Sequence, residues 1–85
     1  MNQEGIEQGF ANAGWEIDGG FYNHLAIGYT DVLSILAYRK TWKTGEPRFQ
    51  LCDHENALDY WVKEIPTPEQ AARLLGEHGE PLDEE

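Results

Sequence analysis

The stretch VLSILAYRKTWKTGEPRFQLCD, residues 32–53, decides the fold. Two readings compete for its first half. Val32, Ile35 and Leu36 fit the 3.6-residue period of a helix opened by an Asp31 N-cap, whereas a strand over residues 32–42 fits the alternation of the second half. A two-residue turn at Thr44-Gly45 favours the strand. It sets Lys43 opposite Glu46, Trp42 opposite Pro47, Lys40 opposite Phe49, Tyr38 opposite Leu51 and Leu36 opposite Asp53. One face then gathers nearly every large apolar group. The other pairs Thr41 with Arg48, Arg39 with Gln50 and Ala37 with Cys52, which is the two-residue period of a sheet. Lys40 is the misfit. Because Val32, Leu33, Ile35, Leu36 and Ala37 make the middle of the strand apolar on both faces, it calls for cover on both sides.

Downstream, a turn at Glu55-Asn56 sets Leu58 opposite Asp53, Tyr60 opposite Leu51 and Val62 opposite Phe49. Trp61 then falls on the second face opposite Gln50, and Lys63 falls opposite Arg48. A longer loop over residues 54–57 slips this register by one and reverses the faces. Upstream, residues 24–29 alternate Leu25, Ile27 and Tyr29 against Ala26 and Gly28, and residues 15–17 form a short strand ended by Asp18-Gly19-Gly20. Ile6 and Phe10 share one side of a short N-terminal helix, weakened by Gly5 and Gly9.

Thr67-Pro68-Glu69-Gln70 is the clearest local signal. Thr67 is an N-cap, Pro68 fills the first helical position, Gln70 completes a capping box and Glu69 suits the positive end of the helix dipole. The helix runs over residues 68–78, buries a stripe of Ala71, Leu74, Leu75 and His78, and stops at Gly79 and Pro81. The expected fold is α+β. It is an antiparallel, curled meander of four to five strands with a C-terminal helix packed on one face and a short N-terminal helix. Residues 1–79 form one domain, followed by an acidic, frayed tail over residues 80–85.

Sixteen acids against six bases in 85 residues give a net charge of −10, unevenly spread. Residues 1–38 carry −5, residues 39–48 carry +3 and residues 49–85 carry −8. Such a balance disfavours direct binding to nucleic acid or an anionic membrane, because affinity for phosphate comes from neutralising it. No apolar run approaches the roughly 20 residues of a membrane span, and the N-terminus lacks the pattern of a secretory signal. Cys52 is the lone cysteine. It can form no disulfide within the chain, which suits a reducing, cytoplasmic setting.

No residue set reads as catalytic or metal-binding. Cys52-Asp53-His54-Glu55 holds ligand-type side chains, but a strand points neighbours to opposite sides and no second ligand pair exists, so no metal or cofactor is expected. Ser34 and Cys52 sit inside apolar strands and read as small core-lining residues rather than nucleophiles. His24 beside Asp18 or Asp31, and Glu16 beside Asp18, are pairings that arise readily among so many acids. Asp18-Gly19-Gly20-Phe21 lacks the lysine and helix of a phosphate loop. The expectation is a protein that is not an enzyme.

The second face is more informative, with Trp61, Arg39, Arg48 and Lys63 around Gln50 and Thr41. The plainer account covers it internally: Glu69, Asp59 or the acidic tail neutralises the bases, and Leu74 and Leu75 bury Trp61. The sharper account makes Trp61 an interface anchor flanked by arginines, residue types enriched at binding hot spots. The acids Glu16, Asp18, Glu80, Asp83, Glu84 and Glu85 offer a surface of the opposite sign, read either as simply solvated or as mimicking phosphates. The functional expectation is therefore a small acidic protein-interaction module for a protein partner with a basic surface, such as an inhibitor of a nucleic-acid-binding protein. The alternative is a small enzyme or ligand-binding domain using a pocket between sheet and helix.

Overall fold

The computed structural model describes residues 3–19, 24–39, 42–45 and 48–82. The elements run α1 (Gln3–Ala13), β1 (Glu16–Gly19), β2 (His24–Tyr29), β3 (Leu33–Tyr38), β4 (Phe49–Asp53), β5 (Leu58–Val62), α2 (Pro68–His78) and β6 (Glu80–Pro81). All six strands form one antiparallel meander in chain order. The expected α+β architecture is thus present, with one strand more than expected. The ordered chain does not end at Gly79. Glu80 and Pro81 pair with Asp59 and Leu58, and the Leu82 N–H donates to the Ala57 carbonyl at 2.9 Å, so residues 80–82 close the sheet rather than fray.

Both helices lie on the same face of the sheet. Ile6 and Phe10 of α1, Ala71 and Leu75 of α2, and Trp15 share one core with Ala26, Leu33, Ile35, Ala37, Phe49 and Leu51. Paired residues of neighbouring strands point to the same side, so the register sorts the sheet into rows. Ile17, Gly28, Ile35, Leu51 and Tyr60 make one core-facing row, and Ala26, Ala37, Phe49 and Val62 make the next. Gly28 is required in the first row. A Cβ there would lie 2.9 Å from Ile35 Cγ2, 3.0 Å from Trp15 Cβ and 3.2 Å from Phe10 Cδ2, so its absence lets α1 settle onto β2. The indole N–H of Trp15 donates to the Pro66 carbonyl at 2.8 Å, tying the start of β1 to the segment before α2.

Local chemistry explains the helix and turn boundaries. Thr67 accepts from the Gln70 N–H while Gln70 Oε1 accepts from the Thr67 N–H, each at 3.1 Å, which is the expected capping box. In the β4–β5 turn, Asp53 Oδ1 accepts from the N–H groups of Glu55 and Asn56, and Asp53 Oδ2 accepts from Asn56 Nδ2. Ala57 completes that turn at φ 57°, and from Asp53–Leu58 to Phe49–Val62 the strands pair in the expected register. At the β2–β3 turn the Thr30 N–H donates to the Leu33 carbonyl, and Thr30 Oγ1 accepts from the Leu33 N–H.

The β3–β4 register departs from expectation. Leu33 pairs with Asp53, Ser34 with Cys52, Ile35 with Leu51, Leu36 with Gln50 and Ala37 with Phe49. Relative to the tight hairpin this is a shift of three residues along β3, and an odd shift exchanges the faces of that strand. Thr44-Gly45 does turn, with Gly45 at φ 87° and its N–H donating to the Trp42 carbonyl at 2.8 Å. That turn sits within a longer connection over residues 39–48 rather than joining the strands directly. The shift brings Ile35 and Ala37, instead of Tyr38 and Lys40, opposite Leu51 and Phe49 beneath the helices. The expected partners Glu46 and Pro47, with Lys40 and Thr41, lie outside the described residues.

Candidate protein-interaction surface

The outer face of the sheet, opposite the helices, carries the candidate site. One row across it reads Asp18, Ile27, Leu36, Gln50 and Trp61, and the next reads Glu16, Tyr29, Ser34, Cys52, Asp59 and Glu80. His24 pairs with Tyr38, whose N–H donates to the Arg48 carbonyl at 3.1 Å. The surfaces expected to be separate therefore share one face. Glu16 and Asp18 lie at the β1 end, while Trp61 and Arg48 lie at the other.

At that second end the side chains form a connected group. The Arg48 guanidinium carbon is 4.4 Å from the centroid of the Trp61 ring, 5.1 Å from Trp42 and 5.9 Å from Tyr38. Tyr38 and Trp61 lie 5.0 Å apart, Trp42 meets Trp61 edge-on at 6.3 Å, and His24 meets Tyr38 edge-on at 4.6 Å. A cation over several rings gains from their negative faces, most strongly where water is partly excluded. A hydrogen-bonded chain continues the group across the strands. The Tyr38 hydroxyl donates to Gln50 Oε1 and Gln50 Nε2 donates to Asp59 Oδ2, both at 2.8 Å. Burial is the main reason the Tyr38 hydroxyl titrates above the ordinary phenol range, with Cys52 and Asp59 adding to it and Arg48 opposing.

Of the expected interface residues, the structure brings Trp61, Arg48 and Gln50 together. Lys63 is exposed just beyond the end of β5. Arg39 is not opposite Gln50, because Leu36 takes that place and Arg39 follows the end of β3. Of the two helix residues expected to cover Trp61, Leu75 is buried in the core while Leu74 lines a cleft that Trp61 also borders, and Trp61 is half-buried with Trp42 and Arg48 against it. Tyr38, Trp42 and His24 were not expected in the group. Among the acids, Glu16, Asp18 and Glu80 are exposed, while Asp83, Glu84 and Glu85 lie outside the described residues.

A second group lies on the same face. Ser34 Oγ is 2.9 Å from His54 Nε2, and Cys52 pairs with Ser34 across β3 and β4. A hydroxyl or thiol beside an imidazole is the beginning of a nucleophile–base pair. Here Ser34 is 8 % exposed and Cys52 5 % exposed, and burial raises the Cys52 thiol above its ordinary range, so it stays protonated near neutral pH. Both side chains are thus nearly closed to solvent, while His54 is exposed. Among the described residues no group of three or more His, Cys, Asp or Glu side chains is placed to hold a metal ion. No helix among them is long and apolar enough to cross a membrane.

A cleft of about 910 Å³ opens beside β5, where Trp42, Val62 and Ile65 face Arg73, Leu74 and Glu77 of α2. It adjoins the aromatic group through Trp42 and Trp61, which line its rim. Compared with protein-family models, curated proteins and solved structures, the chain matches none of them.

Proposed function

We propose that this chain is a non-enzymatic protein-interaction module that docks a partner through the outer face of its sheet. One observation carries the reading: both helices pack on the same side, so a half-buried group of Trp61, Trp42, Tyr38 and Arg48 lies on the opposite face. Rigid aromatic side chains with an arginine among them are the residue types that dominate binding energy at interfaces. The expected partner is a protein with a basic surface. A chain of net charge −10 attracts such a surface at long range, and Glu16 and Asp18 place acids on the docking face itself. An inhibitor of a nucleic-acid-binding protein is the form of this function best suited to that charge.

Affinity capture from the source proteome with wild type and Trp61→Ala side by side tests the reading. A basic protein retained by wild type, released as salt rises and missing from the folded variant supports it. Equal capture by both chains overturns it. The cleft between β5 and α2 supports a second reading, a small-ligand domain. Co-purification of a small molecule with no protein partner would favour that one.

A further inference from the structure

We infer that Arg48 and Trp42 form a carboxylate subsite, which receives an aspartate or glutamate side chain of the docked partner. The inference rests on the docking role of the outer face. Arg48 Nε and Trp42 Nε1 are both buried, and neither has a hydrogen-bond acceptor among the described residues. Buried N–H groups are rarely left unpaired, and a pair of them in one cluster marks a place for an acceptor. They do belong to one cluster, since the guanidinium carbon lies 5.1 Å from the Trp42 centroid.

The chemistry of the acceptor follows from what surrounds Arg48. Aromatic rings of Trp61 and Trp42 approach the guanidinium within 4.4 and 5.1 Å, so hydrogen bonding falls to its in-plane N–H groups. The unpartnered nitrogen is Nε, which with a neighbouring Nη offers the side-on pair of donors that a planar carboxylate matches with its two oxygens. Asp59, an acid of the neighbouring row on this face, is already engaged. Asp59 accepts from Gln50 at 2.8 Å, and Gln50 is in turn held by Tyr38. Trp42 also lines the cleft beside β5, the opening from which a partner's side chain would approach the pair. A single carboxylate suits this acidic chain better than a polyphosphate, which would meet the field of its net charge of −10.

The full chain labelled with 15N reports both donors directly through the indole N–H of Trp42 and the Nε–H of Arg48. The probes are N-acetylglutamate N-methylamide, its glutamine counterpart and inorganic phosphate. The glutamate probe should shift both resonances saturably, and the glutamine probe should bind roughly tenfold more weakly or worse. Arg48→Lys keeps the charge but loses the side-on donor pair, so it should lose the response. Trp42→Phe should retain a weakened shift at Arg48, with the Trp15 and Trp61 indole signals confirming the fold of each variant. No saturable shift in the folded chain, an equal response to glutamine, or a stronger one to phosphate overturns the assignment. These outcomes are separate from the docking reading. If the glutamate probe fails while Trp61→Ala still loses the partner, only the subsite falls. If the probe binds while capture ignores Trp61→Ala, the docking reading falls and the carboxylate site stands.

Discussion

Arg48 holds its guanidinium carbon 4.4 Å from the centre of the Trp61 ring, across the β4–β5 pair and on the face away from both helices. Removing either partner should therefore cost far less than removing a core ring. Trp61→Ala and Arg48→Ala are each expected to lower stability by about 1–2 kcal/mol, consistent with loss of a partly desolvated cation–π contact and some packing. Phe49→Ala, which empties a site 2 % exposed beside Phe10, should lower it by about 3–5 kcal/mol. Urea unfolding of the three variants gives the order, and a Trp61→Ala loss as large as that of Phe49→Ala would show Trp61 to be core.

Gly28→Ala tests how α1 rests on the sheet. The new methyl meets Ile35 and Trp15 at 3.0 Å or less, and the contact on the Trp15 side is with Cβ, which cannot swing away. An overpacked core costs about 1–3 kcal/mol. Thermal melts should show a clear loss for Gly28→Ala and a gain of about 0.5–1 kcal/mol for Gly76→Ala, a position inside α2 where an added methyl meets nothing within 4 Å.

Thr67→Ala removes the hydroxyl that caps α2 and should destabilise the chain by about 1 kcal/mol. Thr67→Ser keeps the acceptor and should restore most of that loss. Equal melting temperatures for Thr67→Ala and wild type would remove the cap from the account of α2.

Acid should weaken the β4–β5 turn in a defined way. Hydrogen bonds from the Asn56 side chain, and then from the Asn56 and Glu55 N–H groups, hold the Asp53 carboxyl below its ordinary range despite some opposing desolvation. A carboxyl lowered in the folded chain contributes its full stability above the unfolded value, and loses it as pH falls through the folded value. The gap in melting temperature between wild type and Asp53→Asn should be widest near neutral pH and should close below the ordinary carboxylate range. A gap that stays constant down to pH 2 would contradict the assignment.

How legible each part was depended on how far apart its determinants lie in the chain. The cap of α2 and the turn from Asp53 to Ala57 are settled by neighbours, so the helix bounds and the β4–β5 register could be read directly. The β3–β4 register is settled by which residues of β3 reach the helices. That depends on α1 and α2 together, and the long connection over residues 39–48 leaves the register free to follow the core. The misfit of Lys40 on an apolar face was the available sign that the tight hairpin was wrong. The site divides along the same line: Trp61 opposite Gln50 followed from β4 and β5, whereas Tyr38 entered only through the shifted register of β3.

The bond from the Trp15 indole to the Pro66 carbonyl spans 51 positions of sequence, and it has a bearing on cooperativity. It joins the two ends of the meander outside the strand ladder, while Phe10 of α1 meets Phe49 beneath the same sheet at 5.9 Å. Neither helix has a private core. A chain cut after β5 would strip Trp15 of the carbonyl its indole N–H donates to and expose the inner faces of β4 and β5. The two halves should thus unfold in one transition, and the docking face should vanish with them rather than survive on a fragment.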